Sequence, residues 1–130
     1  MSEPTMAEGN ALFNAFGEHV FLLRVKFGTS VITSTRSMHA TIKRNSTGNY
    51  TLTLPKAYHE ITRFYCGWFR ADSQNALAMQ LVTISDLSVG GTLTLESVIA
   101  AGTATDPASG DYCYIEVGVS CDSLNDKFTS

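Results

Sequence analysis

Residues 37–55, "SMHATIKRNSTGNYTLTLP", hold two alternating runs joined by a polar turn. In the second run the apolar side chains recur at every other position between threonines, which is the period of a half-buried strand. Residues 38–42 have the same period, and the Asn, Ser, Thr and Gly residues between the two runs are typical of a hairpin loop. The stretch therefore predicts a β-hairpin. Its predicted core-facing residues are Met38, Ala40, Ile42, Tyr50, Leu52 and Leu54.

The same period of two recurs along most of the chain and predicts about eight short strands. Helical turns are expected only at residues 11–16 and 75–80. Short strands separated by Gly-containing turns are typical of all-β folds, so we expect an antiparallel β-sandwich with jelly-roll-like order. The further predicted strands are residues 21–27 (FLLRVKF), 31–37 (VITSTRS), 60–71 (EITRFYCGWFRA), 77–85 (LAMQLVTIS), 92–100 (TLTLESVIA) and 112–120 (YCYIEVGVS).

The chain has 130 residues, enough for one domain with a single core. The alternating segments divide it into an extended N-terminal arm (1–18), a β-sandwich domain (19–122) and a C-terminal tail (123–130). Charged residues make up 16%, and Ser and Thr fill much of the remaining polar surface. Such a surface favours packing against other proteins.

Composition also argues against several classes of protein. A net charge of −3 provides no basic excess for a phosphate backbone, and no apolar run is long enough to cross a membrane. The acidic start lacks a signal-peptide pattern, so synthesis in a cytoplasm is expected. Asn45-Ser46-Thr47 fits the glycosylation acceptor pattern, but a hairpin loop explains the same residues. Cys66, Cys113 and Cys121 are an odd set without metal-site spacing, which indicates reduced thiols.

No motif for catalysis is present, so we predict a non-enzymatic protein without catalytic, cofactor or metal-binding residues. His39 and His59 stand outside any nucleophile motif. Asp106 and Asp111 bracket the loop TDPASGD, where Ca²⁺ is the sharpest metal hypothesis, but two carboxylates are few for that ion. The enzymatic alternative would build its site from these two histidines and this loop.

The segment RFYCGWFR, residues 63–70, carries aromatic residues on both faces of its strand. Phe64, Cys66 and Trp68 form the more apolar face and are predicted to face the core. The other face could stack on a sugar or a base, but an acidic chain favours a protein interface there. The predicted interface residues are Arg63, Tyr65 and Phe69 in this strand and Leu12, Phe13 and Phe16 in the arm.

Two segments resemble small structural proteins of tailed bacteriophages. They are residues 31–58, VITSTRSMHATIKRNSTGNYTLTLPKAY, and residues 102–120, GTATDPASGDYCYIEVGVS. Together they cover less than half of the chain. The first resembles a Thr- and Arg-rich strand with a Gly-Asn turn and return strand, and the second resembles a closing loop and apolar strand.

This resemblance implies a virion component, in the first instance a head decoration (cement) protein that binds the major capsid lattice and stabilises the head. It implies copies of the same chain as partners, a trimer being expected, and an N-terminal arm that orders on a neighbour. Neither nucleic acid nor a membrane is expected as a partner. The alternatives are a tail- or fibre-associated virion protein and a glycan-binding β-sandwich module contacting its ligand through Tyr65 and Phe69.

Overall fold

The computed structural model of this chain describes residues 18–71 and 76–120. Within them the chain forms eight strands and one helical turn. The elements are β1 (Glu18–Gly28), β2 (Val31–Arg36), β3 (Thr41–Ser46), β4 (Asn49–Thr53), β5 (Glu60–Phe69), β6 (Leu77–Thr83), α1 (Leu87–Gly90), β7 (Thr92–Ile99) and β8 (Tyr112–Ser120).

The strands form two four-stranded antiparallel sheets that pack face to face. Sheet A has the order β2-β1-β8-β5, and sheet B has the order β3-β4-β7-β6. The predicted all-β sandwich of eight strands is confirmed. Jelly-roll order is not confirmed, because three neighbouring pairs within the sheets are local hairpins: β1–β2, β3–β4 and β6–β7.

The core lies between the sheets and consists of the alternating apolar residues. The predicted inward residues Tyr50, Leu52 and Leu54 are all buried, and Phe64, Cys66 and Trp68 pack against that core. At about 25 cal/mol per Å² of apolar surface, this burial is the main favourable term in folding. The fully buried core side chains are Leu23, Val25, Tyr50, Leu52, Leu93, Leu95, Cys113, Ile115, Val117 and Val119, all at most 1% exposed.

The predicted hairpin is β3–β4, with Thr47 and Gly48 between its strands. Asn45 has a structural role there, since its side-chain amide donates to Asn49 Oδ1 at 3.0 Å and to Thr51 Oγ1 at 2.7 Å. The turn interpretation of Asn45-Ser46-Thr47 therefore has a physical basis in these two hydrogen bonds.

Two local expectations were wrong. Met38 is 86% exposed, because β3 begins only at Thr41 and the Ala40 N–H turns back to Ser37 Oγ at 3.1 Å. The helical turn expected at 75–80 does not form over residues 77–80, which pair with β7 as part of β6, in agreement with the predicted strand 77–85. The helical turn that does form, α1, lies outside the two stretches where helical turns were expected.

The first and last strands lie close to the predicted bounds of the β-sandwich domain, residues 19–122. β1 begins at Glu18, one residue before the expected start of the sandwich. β8 ends at Ser120, whose Cα partners Glu18 across the sheet. The first residue of β1 and the last residue of β8 therefore lie side by side at one end of the two central strands of sheet A, and residues 1–17 and 121–130 lie outside the described residues.

Candidate functional site

Two predicted interface residues lie on the outer face of sheet A, the face turned away from the core. Tyr65 is 58% exposed and Phe69 is 52% exposed. Leu22 of β1 is on the same face and is 49% exposed. These three side chains form an exposed apolar surface on a regular sheet. The predicted arm residues Leu12, Phe13 and Phe16 lie outside the described residues.

Two further rings from β8 complete an aromatic row, which we define as Tyr65, Phe69, Tyr112 and Tyr114. The rings of Phe69 and Tyr112 stack in parallel, with centroids 4.7 Å apart and planes 10° apart. Those of Tyr65 and Tyr114 are tilted, 6.4 Å apart. The missing Cβ of Gly67 leaves room for this arrangement, since an added Cβ would lie 2.9 Å from the Tyr65 hydroxyl.

Tyr112 and Tyr114 were not among the interface residues predicted from the sequence. Their signal was present in the segment YCYIEV, where both tyrosines alternate with the inward Cys113 and Ile115. Only the position of β8 between β1 and β5 shows that they meet the rings of residues 63–70.

A cluster of positive charge lies beside the aromatic row on the outer face of sheet A. Across the strands, Lys26 is opposite Tyr112, and Arg24 lies between Tyr114 and Arg36. The charged side chains border a cleft of about 380 Å³, which we call the basic cleft. The cleft was not predicted from the sequence, because Arg24 and Lys26 only alternate with apolar residues of β1 and Arg36 belongs to another strand. The cleft is lined by Arg24, Lys26, Ser34, Arg36, Gly110 and Tyr112.

Arg63, the remaining predicted interface residue in β5, is held in a network of acidic side chains. Its guanidinium donates to Glu18 at 2.9 Å and to Glu116 at 3.0 Å, and Thr62 also donates to Glu18. Gly118 gives this network its space, since a Cβ there would lie 2.6 Å from Thr62 Oγ1. Arg63 thus ties three strands together and contributes less to an exposed surface than Tyr65 and Phe69 do.

The Asp106 carboxylate is a link between the loop before β8 and the β3–β4 hairpin. It accepts two hydrogen bonds from Arg44, at 3.1 and 2.8 Å, and one from the Gly48 N–H at 2.9 Å. His39 and His59, the other members of the enzymatic alternative, are exposed and are not among these partners. Asp106, one of the two carboxylates considered as Ca²⁺ ligands, therefore links the loop to the hairpin through these hydrogen bonds.

Asp111 is the second carboxylate of that loop, and its side chain is fully buried. It accepts hydrogen bonds from the N–H groups of Ala71 and Ala108, both at 2.8 Å, and from Arg70 Nε at 2.7 Å. Burial alone would raise the pKa of Asp111, but these donors together lower the pKa below its ordinary value. The loop carboxylates thus face cations and backbone donors of this chain.

We expect a pH-dependent contribution from Asp106. The hydrogen bond from Arg44 lowers the pKa of Asp106, and the Gly48 N–H adds to the effect. A carboxyl whose pKa is lower in the folded state stabilises the fold above its unfolded value of about 4, and this stabilisation is lost as the pH falls. The difference in unfolding free energy between the wild type and Asp106→Asn should therefore narrow below about pH 4. Urea titrations followed by Trp68 fluorescence measure it, and a pH-independent difference would contradict the assignment.

The two described cysteines are free and adjacent in sheet A. Cys113 is buried, Cys66 is partly buried, and a hydrogen bond between the two thiols raises the pKa of Cys113. A thiol held protonated in this way is a poor nucleophile. Cys113 is part of the core and Cys66 packs against it, while Cys121 lies outside the described residues.

In residues 18–71 and 76–120, no group of three or more His, Cys, Asp or Glu side chains is arranged to hold a metal ion. No helix in that part of the chain is long and apolar enough to span a membrane. Compared with known proteins, the chain matches no protein-family model, no curated protein and no solved structure, so its function is argued from its own residues.

Proposed function

We propose that this protein is a non-enzymatic structural protein of a bacteriophage virion that docks on the capsid lattice through the outer face of sheet A, as a head decoration protein does. The observation that carries the proposal is the exposed apolar surface on this face. Leu22 on β1 and Tyr65 and Phe69 on β5 are each about half exposed on the outer face of this sheet. Exposed apolar side chains gathered on one face of a sheet mark a candidate interaction site.

The rigidity and the aromatic composition of the outer face of sheet A favour a protein partner. Its side chains stand on paired strands and several are fixed by ring contacts, so little conformational entropy is lost when a partner covers them. Tyr and Phe are also enriched at the centres of protein interfaces. A rigid, flat surface of this type is better suited to contacting another folded protein than to enclosing a small molecule.

The chemistry of the loop before β8 supports a structural role over catalysis. Asp106 and Asp111 are engaged with arginines and backbone N–H groups, and these bonds fix the loop. A general acid or base needs a carboxylate that can reach a substrate proton. These two carboxylates instead join distant parts of the sandwich.

The virion part of the proposal is supported by the two segments that resemble phage structural proteins. In the fold they are neighbours: Arg44 and Gly48 of the first segment bind Asp106 of the second. The two segments are thus in contact in the fold, whereas the exposed aromatic residues of β5 lie outside both. The resemblance and the exposed surface are therefore separate supports.

The test is particle association, measured by co-sedimentation with purified virions and by electron microscopy of the particles. Changing Tyr65 and Phe69 together to Ser should reduce occupancy on the capsid about tenfold or more, because buried aromatic residues dominate interface energies. The matched control is Ile84→Ser with Val89→Ser, two residues 51% and 81% exposed near α1, which should leave occupancy unchanged.

Absence of the protein from purified virions would overturn the proposal. Density at the tail or at a fibre would assign the tail-associated alternative instead. Binding on a glycan array that is lost in Tyr65→Ala, with the fold intact, would favour the glycan-binding module.

A further inference from the structure

The basic cleft lies at the β1–β2 side of the outer face of sheet A, next to the aromatic row. Arg24 and Arg36 are directly opposite each other across β1 and β2. Like charges at directly opposed positions of an antiparallel pair destabilise the sheet. Lys26, on the same face two residues further along, adds a third cation. The sheet therefore tolerates an unfavourable concentration of positive charge in a chain of net charge −3.

No carboxylate of the described part of the chain compensates these cations. The ion pairs there involve Arg44, Arg63 and Arg70, and none involves Arg24, Lys26 or Arg36. The arginines outside the cleft are thus each paired with an acid, whereas those lining it face the opening. Within the described residues the three cations of the cleft therefore have no acidic partner, which leaves them able to bind an anion from another molecule.

The ring of Tyr112 limits what that anion can be. The guanidinium carbon of Arg24 lies 5.0 Å from its centroid, and Phe69 stacks on it at 4.7 Å. Since β1 and β5 flank β8 on opposite sides, the two side chains approach Tyr112 from opposite neighbouring strands. These two contacts disfavour stacking of a sugar or a base on this ring. The cation–π contact instead holds the guanidinium of Arg24 in place for an incoming anion.

The remaining groups recognise a compact oxyanion. Guanidinium forks suit carboxylates and phosphates alike, and Lys26 and Ser34 add an ammonium and a hydroxyl. A nucleic-acid strand, however, needs positive charge along its path. Away from the cleft, the same face carries Glu116 opposite Tyr65, so a phosphate backbone crossing the sheet would meet a negative charge.

We propose that the basic cleft binds carboxylates of an acidic segment on the protein partner, while the neighbouring Tyr65 and Phe69 cover its apolar residues. This inference rests on the proposed docking function of the outer face of sheet A and names the chemistry of the partner. The acidic segment supplies the charge that the opposed arginines lack, and the cleft fixes the register in which the partner docks.

The test uses an oligoglutamate peptide as the probe and the full-length protein. We expect binding that weakens with added salt and that falls at least about tenfold in Arg24→Gln with Arg36→Gln, because two charged donors are lost. The matched control is Lys43→Gln with Lys56→Gln, which removes the same charge from exposed positions outside the cleft and should keep the affinity within about twofold.

Absence of oligoglutamate binding, or an equal loss in the control variant, would overturn the inference. Tighter binding of an oligothymidylate than of the peptide would also overturn it and assign the face to single-stranded nucleic acid. The outcomes are separable from those of the docking proposal. If wild type and the Arg24→Gln, Arg36→Gln variant occupy virions equally, the cleft inference fails and the docking proposal stands.

Discussion

Replacing Asp111 with alanine is expected to lower the free energy of unfolding by about 3–5 kcal/mol, because it leaves a buried ion pair without its acid. The Asp111 side chain is fully buried and accepts hydrogen bonds from two backbone N–H groups as well as from Arg70. Alanine satisfies none of these donors. A typical domain is stable by only about 5–15 kcal/mol, so this single change removes a large part of that stability.

Backbone hydrogen bonds around Asp111 extend the destabilising effect of the substitution to the end of β1. Phe27 N–H donates to the Asp111 carbonyl and Gly110 N–H donates to the Phe27 carbonyl, both at 2.9 Å. The side chain therefore fixes a loop that is itself joined to the end of β1. Losing the Asp111 side chain should loosen Ala71 and the loop before β8. This loop includes Gly110, which lines the basic cleft.

The measurement is urea unfolding followed by the fluorescence of Trp68, the one tryptophan of the chain. Asp86→Ala is the matched control, since Asp86 precedes α1, is exposed and makes no capping hydrogen bond with its side chain. It should change stability by less than about 0.5 kcal/mol. A loss below about 1 kcal/mol for Asp111→Ala would mean that the buried carboxylate is not an essential tie.

The strands and the core were predictable from sequence because they depend on local periodicity. Apolar residues at every other position of β4 and β8 place one face against the opposite sheet, whatever the strand order. Leu52 and Ile115 are fully buried for this reason. Met38 was misplaced because periodicity does not reveal where a strand begins, and there a turn through Ser37 replaces the first residues of β3.

The candidate site was less predictable because it depends on which strands are neighbours. The first strand pairs with the last, and only this pairing brings Arg24 over Tyr112. Loop aspartates are normally turn residues, so the sequence of the loop before β8 gave no sign that Asp106 would meet Arg44. Tyr65 and Phe69 could be found because the two faces of β5 differ in their apolar content.

Replacing Gly48 with alanine is expected to cost about 2–4 kcal/mol, through backbone strain and a steric conflict together. Gly48 has a φ of 64°, in the left-handed region. A Cβ there would lie 2.7 Å from Thr105 N and 2.8 Å from Ser97 O. Because both neighbours are backbone atoms, the hairpin and the loop before β8 would have to separate, which also weakens the Gly48 N–H bond to Asp106.

Substitutions at two other glycines distinguish backbone strain from steric conflict as the cause of this loss of stability. Gly102 has a φ of 82° but nothing within 4 Å of an added Cβ, so Gly102→Ala should cost only the strain, about 1–2 kcal/mol. Gly90 in α1 has neither feature, and Gly90→Ala should be neutral or slightly stabilising. Urea unfolding of the three variants should rank Gly48→Ala as the most destabilised. Equal losses at Gly48 and Gly102 would mean that the hairpin can move away from the loop without cost, and the tie through Asp106 would then not hold the two segments together.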